Sequence, residues 1–123
     1  MDPINWAAVA LSSLLAAGLG ALWYGRLFPR GTNSLSWLLG AVVLQGLSAL
    51  MLGHALARIG AEKLALKPWL YWMQSGGIAL AFIIPALWIT QARSGVSRRD
   101  MLVDAAFWLV VYLLTGTAFF VLA

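Results

Sequence analysis

The chain has no cysteine, only four acidic residues and a single histidine. Without cysteine there is no disulfide, no thiolate nucleophile and no thiolate metal site. One histidine and a few scattered carboxylates give no metal-ligand spacing. They also give no paired acids, no Ser-His-Asp set and no glycine-rich phosphate loop. The sequence therefore predicts no catalytic residue, no metal and no cofactor. Charge as a whole is scarce: 10% of the 123 residues are charged and 63% are hydrophobic, with a mean hydropathy of +0.89. A soluble domain of this length leaves much of its surface in water, and so few charges cannot clothe it. The net charge of +4 is not a nucleic-acid signature, because the basic residues lie scattered over three short loops. Anionic lipid headgroups are the expected partner of those residues, with no role for nucleic acid.

The charges that exist bound four uncharged runs: Pro3–Gly25, Gly31–Ala57, Pro68–Ala92 and Ala105–Ala123. Each is long enough, or nearly so, to cross ~30 Å of hydrocarbon as a helix, which takes roughly 20 residues. The predicted fold is all-α, a four-helix transmembrane bundle forming one polytopic domain over the whole chain. Its helices are expected at about 4–25, 35–58, 68–93 and 98–122. Met1–Asn5 carries Asp2 and no basic residue, so the first run is read as a retained span rather than a cleaved signal peptide.

Local punctuation supports these ends. Asp2 before Pro3 can cap the first helix, Thr32, Asn33 and Ser34 the second, and Pro68 can open the third. Ser97 to Asp100 has the spacing of a capping box. Gly25, Gly60 and Gly95 are expected as left-handed C-cap positions. Trp6 and Trp23, and again Trp72 and Trp88, are separated by about 25 Å of helix, as aromatic belts at the two interfaces would be. Trp37 and Trp69 add belt residues, whereas Trp108 and Tyr112 are assigned to the core. Arg26, Arg30, Arg93, Arg98 and Arg99 fall on one side, and Arg58, Lys63 and Lys67 on the other. By the positive-inside rule the first and third loops are cytoplasmic and both termini outside. Ala21-Leu22-Trp23 and Ala86-Leu87-Trp88 suggest a doubled helical hairpin.

Lipid gives helices little hydrophobic reason to associate, so packing must come from small residues and polar contacts. Ser13, Ala17, Ala21 and Gly25 form the expected packing face of the first helix, with Ser12, Ala16 and Gly20 beside it. Matching surfaces are Ala49 with Gly53 on the second helix, and Ser75 with Ala79 and Gly77 with Ala81 on the third. Asp104 is read as an ion-pair partner of a cytoplasmic arginine, Arg26 being the candidate, with a proton or cation site as the alternative. His54 lies near the outer end of the second helix, too far from Asp104 to pair with it. Every helix also supplies two polar residues: Ser12, Ser13, Gln45, Ser48, Gln74, Ser75, Thr115 and Thr117. These are either interhelical hydrogen-bonding groups or the lining of a cavity for a small molecule or ion. Pro85 should kink the third helix by leaving the Ala81 carbonyl without its donor.

Ile4-Asn5-Trp6, followed by Gly20-Ala21-Leu22-Trp23-Tyr24-Gly25, a short loop and three further spans, resembles the bacterial membrane family catalogued as domain of unknown function 1761. Asp104-Ala105-Ala106-Phe107-Trp108 through Thr115-Gly116 resembles that family's closing helix. The resemblance implies a four-span protein of the bacterial inner membrane and brings no activity with it. Small multidrug exporters, of similar size, keep a coupling glutamate in their first helix, and no acid lies between Ile4 and Gly25 here. The sequence therefore predicts a non-enzymatic, homo-oligomeric membrane subunit of structural or accessory kind. A channel or transporter built on the polar set is the alternative.

Overall fold

The structure, a computed structural model, describes residues 3–30 and 34–123. The chain is 86% helix, with no strand among the described residues. Four long helices, α1 (Trp6–Leu27), α2 (Leu35–Ile59), α4 (Leu70–Arg93) and α5 (Arg98–Val121), are each long and apolar enough to cross a membrane. A short helix, α3 (Ala61–Leu66), links the second to the third. Large apolar side chains such as Leu47, Met51, Phe82 and Ile89 point outward, while Ser12, Gln45, Ser75, Asp104 and Thr115 are buried. That distribution is inverted relative to a protein in water and suits a hydrocarbon solvent. The chain is a multi-pass membrane protein.

The helix ends follow local chemistry, with some corrections. The α1 cap is Asn5, whose Oδ1 accepts from the Ala8 amide at 3.1 Å and whose Nδ2 reaches the Leu122 carbonyl at 3.0 Å, closing the chain ends on each other. Asp2, expected in this role, lies outside the described residues, as do Thr32 and Asn33. Ser34 caps α2 through the Trp37 amide, and Ser97 caps α5 through the Asp100 amide. Gly60 (φ 94°) and Gly95 (φ 76°) adopt the positive φ expected of them. Gly25 does not: α1 runs on through a π turn, Trp23–Leu27, with Gly25 inside it. The expected kink at Pro85 takes the form of a second π turn, Ala79–Ile83, closed by the Ile84 amide bonding the Ala79 carbonyl. A proline lacks the N–H of a regular ladder, and an i→i−5 turn just before it re-routes the neighbouring bonds.

Adjacent helices pack in pairs, α1 on α2 and α4 on α5, and α1 against α5 joins the two hairpins. The close approaches use small residues, but not quite those expected. On α1 the buried face is Ala8, Ser12, Ala16 and Gly20, with Ser13 at its edge; Ala17 and Ala21 are half-buried and Gly25 is exposed. The stripe is therefore rotated by one position, because Gly20 is the site where the Trp37 indole and the Phe107 ring press in and leave no room for a Cβ. Ser13 instead lies beside Gly46 of α2, whose Cβ would sit 3.0 Å from its hydroxyl. On α4, Ser75 and Ala79 turn inward as expected, whereas Gly77 and Ala81 face outward. The ring of helices is not closed. Helix α2 touches the Leu70–Ile78 half of α4, while the half after the π turn stands apart and leaves a lateral cleft floored by Trp108 and Tyr112 of α5.

A close approach to backbone can be tested. A Cβ at Gly116 would strike the Ser75 side chain and come within 3.0 Å of the Tyr71 carbonyl oxygen. Backbone cannot yield as a side chain can, so Gly116→Ala should destabilise by roughly 1–3 kcal/mol despite alanine's better helix propensity. Gly77→Ala, with nothing within 4 Å, should be neutral or slightly stabilising. Thermal unfolding in detergent distinguishes the two.

Candidate functional site

The most polar assembly lies at the end of the bundle where α1 ends and α5 begins. Asp104 is two turns into α5 and 6% exposed. A carboxylate below the headgroups stays charged only if donors replace the water it has lost. Three arrive from three different segments. The Tyr24 hydroxyl, in the π turn of α1, and Arg30 Nη1, at 2.6 Å, both donate to Oδ1. Gln91, near the end of α4, donates its amide to Oδ2. Arg30 Nε also faces Asp100 Oδ2 at 3.8 Å, so one guanidinium spans two acids a helical turn apart.

The local sequence explains why Arg30 reaches this place. The π turn widens the end of α1, and the Phe28 and Arg30 amides bond back to the Trp23 and Tyr24 carbonyls at 2.7 and 3.2 Å. The chain after Pro29 is thereby folded under the helix, and the Arg30 side chain is directed at α5. The hydrogen bond to Asp104 raises the guanidinium further above its ordinary range, outweighing the opposite effect of its slight burial. Arg30 thus stays a cation at any pH the protein meets.

The expected partner of Asp104 was Arg26, and this is corrected: the ion pair is with Arg30. Arg26 sits exposed inside the π turn, on the far side of Gly25 from Tyr24, where its charge faces the negative end of α1. A regular helix end would not have told the two arginines apart. Tyr24 and Gln91 were not singled out from the sequence. The available signal was the Asp100–Asp104 spacing, which places two acids on one face of α5 and calls for donors from whatever packs there.

The eight-residue polar set does not converge on one cavity. Ser12, Ser13, Thr115 and Thr117 each donate to the carbonyl four residues back in their own helix, at 2.7 to 3.0 Å. Thr117 also accepts from Trp72 Nε1 at 2.9 Å, one of the interhelical bonds that the set was expected to make. Ser75 is fully buried against Gly116, its hydroxyl without a partner, and Gln74 is half-buried. Gln45 and Ser48 share a space, the lateral cleft between α2 and α4, which no other member of the set lines. The indole nitrogen of Trp23, assigned from sequence to a belt, is buried instead, with its ring against Phe28 and Phe107. His54 is half-buried on α2, and among the described residues no three of His, Asp or Glu gather in a way that could hold a metal ion. No family model matches the chain. No curated protein and no solved structure matches it either.

The site as built joins α1, α4 and α5 through one carboxylate. Asp104→Asn removes the charge that holds Arg30 and should lower stability by about 1–3 kcal/mol. Tyr24→Phe, which deletes one donor, should cost about 1 kcal/mol. Arg30→Ala should destabilise measurably, and Arg26→Ala should not. Melting temperatures of the four variants in one detergent decide the assignment.

Proposed function

We propose that the protein is a non-catalytic, self-associating subunit of a bacterial inner membrane, structural or accessory in role. In this reading the end of the bundle that carries Arg26, Arg30, Arg93, Arg98 and Arg99, five of the eight basic residues, faces the cytoplasm, and both termini face outward. Membership of the family catalogued as domain of unknown function 1761 belongs to the same proposal and rests on the N-terminal motif and the closing helix.

The observation that carries self-association is the outward Gly77–Ala81 pair on α4. Small residues four apart let helix backbones approach closely, and helix association in lipid depends on such approach. Within the chain this pair packs against nothing: a Cβ on Gly77 would meet no atom within 4 Å, and Ala81 is exposed. The same spacing two positions earlier, Ser75 with Ala79, is consumed by packing against α5. A structural rather than a coupling role is supported by Asp104. A coupling carboxylate must exchange partners during transport, whereas this one is held by three donors at once. The hydroxyls of the polar set, four of them bonded to their own helices, offer no continuous path across the bundle.

Native mass spectrometry from detergent tests the reading. The parent protein should appear as an oligomer, and Gly77→Leu should weaken it at least tenfold without lowering monomer stability, because the site has room for the side chain. Gly18→Leu, equally open but on α1, should leave the oligomer intact. A monomeric parent protein overturns the proposal. So does uptake into proteoliposomes that Asp104→Asn abolishes without loss of thermal stability.

A further inference from the structure

The cleft between α2 and the Ile84–Arg93 half of α4 is explained neither by the Asp104 network nor by the Gly77–Ala81 face. It holds about 600 Å3, within the usual range of small-molecule pockets. Its walls are mainly apolar: Leu44 on one side, Phe82 and Leu87 on the other, Trp108 and Tyr112 as the floor. One group does not fit an oily groove. Gln45 lines the cleft, is 4% exposed, and its amide nitrogen has no hydrogen-bond partner. An unpartnered amide buried in hydrocarbon carries an uncompensated desolvation cost, so an acceptor supplied from outside the chain would be bound with corresponding advantage.

The depth of Gln45 restricts what can supply that acceptor. It lies ten residues into α2, ~15 Å from the start of the helix and so near the middle of ~30 Å of hydrocarbon. Phospholipid ester carbonyls sit at the headgroup boundary and do not reach that level. The geometry points to a binding site for an uncharged, membrane-dissolved molecule whose ketone-type carbonyl lies in the hydrocarbon layer, entering sideways from the lipid and accepting from Gln45. Apolar walls favour a flat or aromatic body, and Ser48, which lines the cleft with Gln45, offers a second polar contact, a hydroxyl. The site is separate from the self-association face, and neither inference depends on the other.

Benzophenone is a suitable probe because it is an apolar ketone of this kind and attaches to nearby C–H bonds on illumination. With the protein in lipid nanodiscs, labelled peptides should map to the cleft walls on α2 and α4. A non-photoreactive diaryl ketone should compete about fivefold better than diphenylmethane, which has the same shape without the carbonyl, as one net hydrogen bond implies. In Gln45→Leu, which removes an unpartnered polar group and should not impair folding, that preference should vanish while labelling persists. Ala86→Trp, filling the cleft from its rim, should abolish labelling. Equal competition by ketone and hydrocarbon in the parent protein overturns the inference, as does label spread over the lipid-facing surface. Absence of label, whether acyl chains or a second copy of the chain fill the cleft, overturns the inference equally.

Discussion

Everything at one end of this bundle is organised by the cost of holding a negative charge below the lipid headgroups. Asp104 is tolerated because a phenol, a guanidinium and an amide converge on its two oxygens, and each is delivered by a different part of the chain. A membrane gives four short apolar helices no hydrophobic drive to stay together. An ion pair whose loss would leave the buried Asp104 carboxylate without its cation supplies a specific alternative. Removing the cation is penalised more than the pair itself is rewarded. The network therefore acts as a constraint on geometry: α1, α4 and α5 can adopt few relative positions in which all three donors are satisfied.

At the other end the same task falls to shape. Phe119 is buried with Leu52 and Leu56, and Gly116 lets Ser75 and the Tyr71 carbonyl come close. Asn5 links the start of α1 to the end of α5. Between these two ends α2 is held chiefly by α1. One flank of the bundle is therefore left open in the half that carries Asp104, and the lateral cleft results from a ring that three helices complete and the fourth does not.

Span number, approximate ends and most caps were legible in the sequence because they depend on hydropathy runs and on residues acting on neighbours three or four positions away. Ser34, Ser97, Gly60 and Gly95 are of this kind. The register of the packing face was legible only to within one residue: Ser12 and Ser13 are equally small, and the choice between them was made by Trp37 and Phe107, distant in sequence. Asp104 could be recognised as needing a cation, but naming Arg30 over Arg26 required the π turn at Trp23–Leu27, which no local pattern announced. Gln45 was identifiable as an amide near mid-membrane. That it would face a cleft depended on where α2 and α4 part, which is a property of the assembled helices.

The π turn at Ala79–Ile83 inserts one extra residue into a helical circuit, which rotates everything beyond it by about 100° relative to an unbroken helix. The two halves of α4 therefore present different faces inward, Tyr71 and Ser75 before the turn and Gln91 after it. A chain one residue shorter at this point would have a straighter and more regular third helix, yet it would swing Gln91 away from Asp104 and carry Phe82 and Leu87 out of line with α2. The irregularity is thus the phase adjustment that lets a single helix serve a tight contact at one membrane surface and an acid at the other.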